Sequence, residues 1–312
     1  MAASEGQRLK KELGLLDVYV IALGPMLSSG FFLLPGLAAA KTGPSVILAY
    51  FLAGLLVLPA MLSKAELATA MPRAGGTYYF LDRSLGPMVG TVGGLGTWIV
   101  LVLKSAFALI GMGAYLALVA DFPMKSVAIG LTVIFVLVNV VGARESSGLQ
   151  RFLVIAVLGF LAVFTVQGLF NLAGGESPQV MRETRFSPFF SHGAGGLFAT
   201  IGLVFISYAG LTKVASISEE VKQPDRNLPL GMVLALLTAS AVYVVGVFIM
   251  VAVIDPDVLH GDLTPIATAG LVLFDWIPRP VALGLIIVPV LAGLAAAGNA
   301  GILAASRYPL AM

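Results

Sequence analysis

Long apolar runs separated by short polar joints set the pattern of this chain. Eight stretches stand out, near 15–40, 45–70, 88–119, 124–142, 149–172, 195–218, 229–254 and 281–307. A bilayer crossing needs about 20 mostly apolar residues, so each stretch predicts a membrane-spanning α-helix. Strands of a membrane barrel would instead give short alternating segments. Turn and breaker residues mark the joints: Thr42-Gly43-Pro44, Leu85-Gly86-Pro87, Asp121-Phe122-Pro123 and Ile277-Pro278-Arg279-Pro280.

Two of the stretches carry helix-breaking residues at their middles. The first, if helical throughout, would be about 39 Å long, beyond the roughly 30 Å hydrocarbon core. Its middle reads Gly24-Pro25-Met26-Leu27-Ser28-Ser29-Gly30, and the middle of the sixth reads Ile206-Ser207-Tyr208-Ala209-Gly210. A kink or a close helix–helix contact is one explanation, since Gly and Ser favour packing in membranes. The other comes from their spacing: the first and sixth spans open two successive groups of five. Interrupted segments at corresponding places in two halves point to a transporter's binding site.

Composition agrees with the pattern. Hydrophobic residues make up 59% of the 312 and charged ones 11%, against about 25% charged in a soluble domain. The mean hydropathy is +1.00. A net charge of +2 gives no reason to expect a nucleic-acid partner. The absence of cysteine excludes disulfides and thiolate metal sites, and His192 and His260 lie far apart in predicted loops, so no metal or cofactor is expected. The polar, basic segment before residue 15 precedes an apolar stretch too long for a signal peptide, which predicts a retained span.

Lysine and arginine set the expected orientation. With the N-terminus in the cytoplasm, the inner loops hold eleven: Arg8, Lys10, Lys11, Lys64, Arg73, Arg83, Arg144, Arg151, Lys222, Arg226 and Arg307. The outer loops hold five: Lys41, Lys125, Arg182, Arg185 and Arg279. Eight spans then return the C-terminus to the cytoplasm. Lys104 and Lys213 fall within spans. Lys104 is central in span three, where a charge is costly unless it faces a cavity or a partner; it is read either as a coupling or selectivity group beside the substrate or as a structural lysine held by carbonyls. Lys213 is read as snorkelling to the interface, Glu66 as a solvated or structural carboxylate, and the Gly86, Gly90, Gly94 series as a packing face.

Three segments carry a family resemblance. Leu23 to Gly36 (LGPMLSSGFFLLPG) is similar to a Gly-Ser-Gly segment followed by an apolar run and Pro-Gly, with Ser28 in place of the first glycine. Met71 to Tyr79 (MPRAGGTYY) with Leu85-Gly86-Pro87, and Glu219 to Pro229 (EEVKQPDRNLP), are similar to two cytoplasmic loops of the same family. The chain thus resembles the amino acid–polyamine–organocation (APC) permeases over essentially its whole length. The resemblance implies an all-α polytopic membrane protein of the LeuT type, with two inverted repeats of five spans. A cytoplasmic segment 1–14 would precede a transporter domain 15–312, with the first repeat about 15–172 and an incomplete second repeat about 195–312, since the chain reaches only span eight.

The resemblance also implies a site. Unwound backbone at the breaks of spans one and six would bind the amino acid as carriers of this fold do, moving it across the cell membrane by alternating access. Ser28, Ser29 and Gly30 would cradle its carboxylate against the positive end of a half-helix. Carbonyls near Met26, Ile206 and Ala209 would take its ammonium, and Tyr208 and Gly210 would shape the second break. A gating aromatic of some relatives is Ile206 here. A span-five lysine that replaces sodium in others is Val157, and the span-eight hydroxyl region reads Ala295-Ala296-Ala297-Gly298-Asn299. Exchange and a proton link through another group both stay open. No signature of an enzyme or of a channel filter appears; the remaining alternative is a truncated, non-transporting fragment or membrane assembly partner.

Overall fold

The computed structural model describes residues 11, 13–71, 76–120, 123–141, 147–174, 183–210, 214 and 218–311. Helices α1 (Leu15–Met26), α2 (Ser29–Phe32) and α3 (Leu34–Thr42) together cover the first apolar stretch. A 3-10 turn, Gly43–Ser45, leads into α4 (Val46–Ala70). Then come α5 (Gly76–Leu85), α6 (Pro87–Leu116), α7 (Met124–Val141) and α8 (Ser147–Gly174). The second part holds α9 (Gly193–Phe205), a 3-10 turn at Ile206–Tyr208, α10 (Pro224–Val253), the short α11 (Pro256–Leu259) and α12 (Pro265–Leu273), and α13 (Arg279–Ala311). The described residues hold no strand, only one isolated parallel bridge between Leu13 and Val221.

Among the described residues, five segments are long and apolar enough to cross a membrane: Leu34–Ala70, Pro87–Leu116, Arg151–Gly174, Pro224–Val253 and Arg279–Asn299. Three shorter apolar helices, Leu15–Met26, Met124–Leu137 and Gly193–Tyr208, accompany them. Large apolar side chains such as Leu56, Val92, Leu137, Phe152, Phe170, Phe198 and Val288 are exposed around the outside. A water-soluble surface does not carry so many, so the chain is a helical, multi-pass membrane protein.

Packing follows small residues. α13 runs along α6, α10 along α4 and α1, and α9 against α4 and α3. At the α6–α13 contact, a Cβ on Gly301 would fall 1.9 Å from Ser105 Oγ and one on Gly298 3.1 Å from Leu109 Cδ2. Backbones approach this closely in membranes where side chains are minimal. Gly90 packs α6 onto α5, where a Cβ would fall 2.8 Å from the Asp82 Cα. Gly86 plays a different part from Gly90: with φ at +88° it makes the turn into α6.

The joints sort to two ends of the bundle. At one end Leu13 pairs with Val221, Lys222 N donates to Leu13 O (2.8 Å), and Asp17 binds the Arg151 guanidinium. At the other end Gly261 N donates to Gly36 O (3.2 Å), Ser45 N to Phe189 O (3.1 Å), and Arg185 pairs with Asp255. Two regions read as joints are partly helical. Residues 76–85 form α5, and α10 begins at Pro224, so the Glu219 to Pro229 segment includes a first helical turn. Proline at the first position suits a helix start, because its missing N–H would lack a partner there anyway.

Candidate functional site

Local sequence explains where the first span breaks. Pro25 has no N–H and its ring crowds the preceding turn, and α1 ends one residue later. Leu27 and Ser28 bend, with Ser28 at φ −89° and ψ −125°, before α2 starts at Ser29. The Ser28 hydroxyl donates back to the Pro25 carbonyl at 2.9 Å. The first N–H groups of a helix have no partner within it, so the amides at Ser29 and Gly30 open towards the break. Ser28, Ser29 and Gly30 are all buried.

The sixth apolar stretch leaves the α-helix without proline. α9 tightens into the 3-10 turn at Ile206–Tyr208 and passes into a turn at Ala209–Gly210. Ser207 and Tyr208 are buried there, while Ile206 is partly exposed. Ala209 N donates to Ile206 O at 3.1 Å.

The two breaks touch each other at two places. A Cβ on Gly30 would fall 2.6 Å from Ser207 Cβ, and one on Gly210 would fall 2.4 Å from the Ala22 carbonyl oxygen and 2.8 Å from Met26 Cγ. The structure therefore brings together Met26, Gly30, Ser207 and Gly210, with Ser28, Ser29, Ile206, Tyr208 and Ala209 on the same two turns.

Three buried tyrosines serve the carbonyls that the first break frees. Tyr243 of α10 donates to Met26 O and approaches Ser207 O at 3.3 Å. Tyr50 of α4 donates to Gly30 O and Tyr115 of α6 to Phe32 O, both at 2.8 Å. Tyr208 in turn donates to Tyr50 O at 2.9 Å. The rings of Tyr50 and Tyr208 lie 5.1 and 5.0 Å from that of Tyr243. The Met26 carbonyl thus already holds one donor, leaving one lone pair. Sequence reasoning named Tyr208 but missed Tyr50, Tyr115 and Tyr243. The available signal was a phenol in mid-span, since a buried hydroxyl in hydrocarbon must find a partner.

Two cavities of about 320 Å³ each flank the breaks. One is lined by Ser29, Gly30, Ile206 and Ser207 together with Leu34, Leu37, Leu103, Phe107, Leu203 and Lys104. The other is lined by Pro25, Ala209, Thr97 and Lys104 among residues of α6. Lys104 is common to both, and its Nζ lies 3.5 Å from the Ile206 carbonyl oxygen, a long contact. The Ser207 hydroxyl is buried and has no hydrogen-bond partner among the described residues. A third space, of about 10 Å³, lies between α1, α8 and α13 and is lined by Val157, Ala296 and Ala297 among other apolar or backbone surfaces. Glu66 is exposed, and Lys213 lies outside the described residues.

Comparison with known proteins places these features in a family. The amino acid permease family matches over residues 13–312. An uncharacterized transporter of Mycobacterium tuberculosis is 31% identical over 307 residues, covering 97% of this chain and 66% of that protein. A branched-chain amino acid permease of Bacillus subtilis is 28% identical over 282 residues, 81% of this chain and 57% of its own length. Cationic amino acid transporter 1 of Arabidopsis thaliana is 27% identical over 308 residues, 91% of this chain and 49% of its own. The chain therefore spans between about half and two thirds of the length of these relatives.

Proposed function

The chain belongs to the amino acid permease family of the APC superfamily, and on that premise we propose that it binds an amino acid between its two helix breaks and carries it across the cell membrane by alternating access. The observation that carries this reading is the contact of the breaks, Gly30 against Ser207 and Gly210 against Ala22. An amino acid presents a carboxylate and an ammonium, and neither is stable in hydrocarbon without partners. Irregular backbone is tolerated at that depth where it lines a cavity. Amides at Ser28, Ser29 and Gly30 face the carboxylate; carbonyls of Met26, Ile206 and Ala209 face the ammonium; Tyr208 and Gly210 hold the second break in shape. Lys104, between the two cavities, is the group for coupling to protons or for selectivity.

The same reading counts eight spans in a LeuT-type arrangement, residues 15–312 covering the first repeat and part of the second. α1 to α3 form one interrupted span, and the segment that begins with α9 forms the sixth. The grouping of residues 13, 151 and 222 at one end, and of 36, 189 and 261 at the other, is what an alternating threading produces. Residues 1–14 are then a cytoplasmic segment before a transmembrane domain 15–312, with both termini inside.

The test is uptake of radiolabelled amino acids into proteoliposomes, with wild type beside Gly30→Leu. Leucine is favourable in the bilayer, so the variant should insert normally, yet its side chain collides with Ser207 and Tyr243 where the breaks meet and should abolish uptake. Normal uptake by inserted Gly30→Leu would remove the site from between the breaks.

A further inference from the structure

We infer that the Ser207 hydroxyl is a further substrate-binding group, one that donates a hydrogen bond to the carboxylate of the bound amino acid. The inference rests on the site proposed above and adds a side chain to a site otherwise described through its backbone.

A hydroxyl buried in a membrane bundle needs a partner, because no bulk water stands in for one. Other buried hydroxyls of the bundle meet that need within their own turn. Ser28 donates to Pro25 O, Ser105 to Leu101 O and Thr200 to Gly196 O, at 2.9, 2.7 and 2.8 Å. Ser207 is as deeply buried, yet its Oγ has no hydrogen-bond partner among the described residues. The nearby phenols of Tyr50 and Tyr243 give their protons to the carbonyls of Gly30 and Met26, so neither serves it as a donor.

The position of this hydroxyl says what would take its proton. Ser207 lies on the 3-10 turn of the second break, and its Oγ stands 2.8 Å from the place a Cβ on Gly30 would occupy. With Ser29 and Gly30 it forms the polar corner of a cavity of about 320 Å³ whose other walls include Leu34, Leu37 and Leu203. An amino acid with an apolar side chain matches that division, its charged head in the corner and its side chain along the wall. The amides of Ser29 and Gly30 face the carboxylate in the reading above, so the carboxylate is the substrate group beside Ser207. An ionised carboxylate only accepts, at about four lone-pair sites, so two amides leave room for a third donor. Hydrogen bonds to an ionised acceptor are roughly twice as strong as neutral ones. A donor that gives up no bond in the empty site returns that strength to binding undiminished.

Displacement of tritiated leucine from the purified chain in nanodiscs tests the inference, with unlabelled leucine and leucinol as competitors. Leucinol keeps the ammonium and the side chain and carries a neutral alcohol in place of the carboxylate. Ser207→Ala should weaken leucine about tenfold, as the loss of a hydrogen bond to a charged group does, and leave leucinol within about twofold of wild type. Without ligand, the variant should unfold at the same denaturant concentration as wild type or a higher one, since it loses an unpaired buried hydroxyl. An unchanged leucine affinity overturns the inference. Equal weakening of leucine and leucinol also overturns it, by putting the hydroxyl on the ammonium. Clearly earlier unfolding of the ligand-free variant does so too, by showing that the hydroxyl already serves a neighbour such as the Tyr243 phenol oxygen. Gly30→Leu separates the two levels. If wild type binds no leucine, or Gly30→Leu still binds it, the site between the breaks is wrong and the inference falls with it. If Gly30→Leu loses binding while Ser207→Ala keeps it, the site stands and only the role of Ser207 is wrong.

Discussion

Replacing Tyr243 with phenylalanine removes one oxygen atom and leaves the ring packing in place. The ring stays among Phe31, Tyr50 and Tyr208, with centroids 6.0, 5.1 and 5.0 Å away. What is lost is the hydroxyl that donates to the Met26 carbonyl and approaches Ser207 O. Met26 is the last residue of α1, so no residue four places on continues the helix to serve that carbonyl. In water the vacancy would be filled by solvent; Met26 and Tyr243 are fully buried. An unsatisfied buried acceptor costs about 1–3 kcal/mol. Hydrogen bonds between membrane helices measure less, about 0.6 on average and up to about 1.7 kcal/mol, because the unfolded chain in lipid also finds partners. The overlap of the two ranges predicts a loss of about 1–2 kcal/mol.

The assay is equilibrium unfolding of the purified chain in mixed micelles, followed by far-UV circular dichroism. Tyr78→Phe on α5 is the control, since Tyr78 is part-exposed and makes no hydrogen bond among the described residues. Tyr243→Phe should unfold at clearly lower denaturant than both wild type and this control. Coincident unfolding curves for Tyr243→Phe and Tyr78→Phe would refute the claim that the phenol satisfies the break.

Two further predictions follow from packing and from threading. Gly30→Ala places a methyl 2.6 Å from Ser207 Cβ and 2.8 Å from the Tyr243 hydroxyl, so it should cost about 1–3 kcal/mol by overpacking; Gly130→Ala, with nothing within 4 Å, should be neutral, and equal stability of the two would show that the breaks do not press on each other. Because the chain has no cysteine, single cysteines at Asp257 and Asp225 report topology directly: Asp257→Cys should react with a membrane-impermeant maleimide in intact cells and Asp225→Cys only after permeabilisation, and the reverse pattern would invert the orientation.

The apolar runs were legible because a bilayer imposes length, and length is a property of contiguous sequence. The break at Met26–Gly30 was legible for a similar reason, since Pro25 and the glycines act on their own turn. α5 was not read as a helix: ten residues with exposed polar positions, opening at Gly76 with φ +53°, look like a loop when spans are sought. α12 escaped likewise, being nine mostly apolar residues and too short to cross. The tyrosines were invisible for a deeper reason. Tyr50, Tyr115 and Tyr243 lie 20, 83 and 217 residues from the carbonyls they serve. No local pattern encodes such a pairing, and a tyrosine in an apolar helix reads as core. What the sequence does imply is a demand on both sides: freed carbonyls at the break and phenols in mid-span each need a partner.

That demand explains how the centre of the bundle holds its form with almost no charge. Gly30 and Gly210 let the breaks meet where a single methyl would not fit, and Gly54 does the same for α4, where a Cβ would fall 2.8 Å from Ser240 Oγ and 3.1 Å from the Tyr208 hydroxyl. Tyrosines from α4, α6 and α10 then take up the carbonyls that close packing alone would leave unpaired. Each of these groups is neutral, so the two breaks are held against each other by hydrogen bonds and close contact alone, and removing either the glycines or the phenols should loosen the same junction.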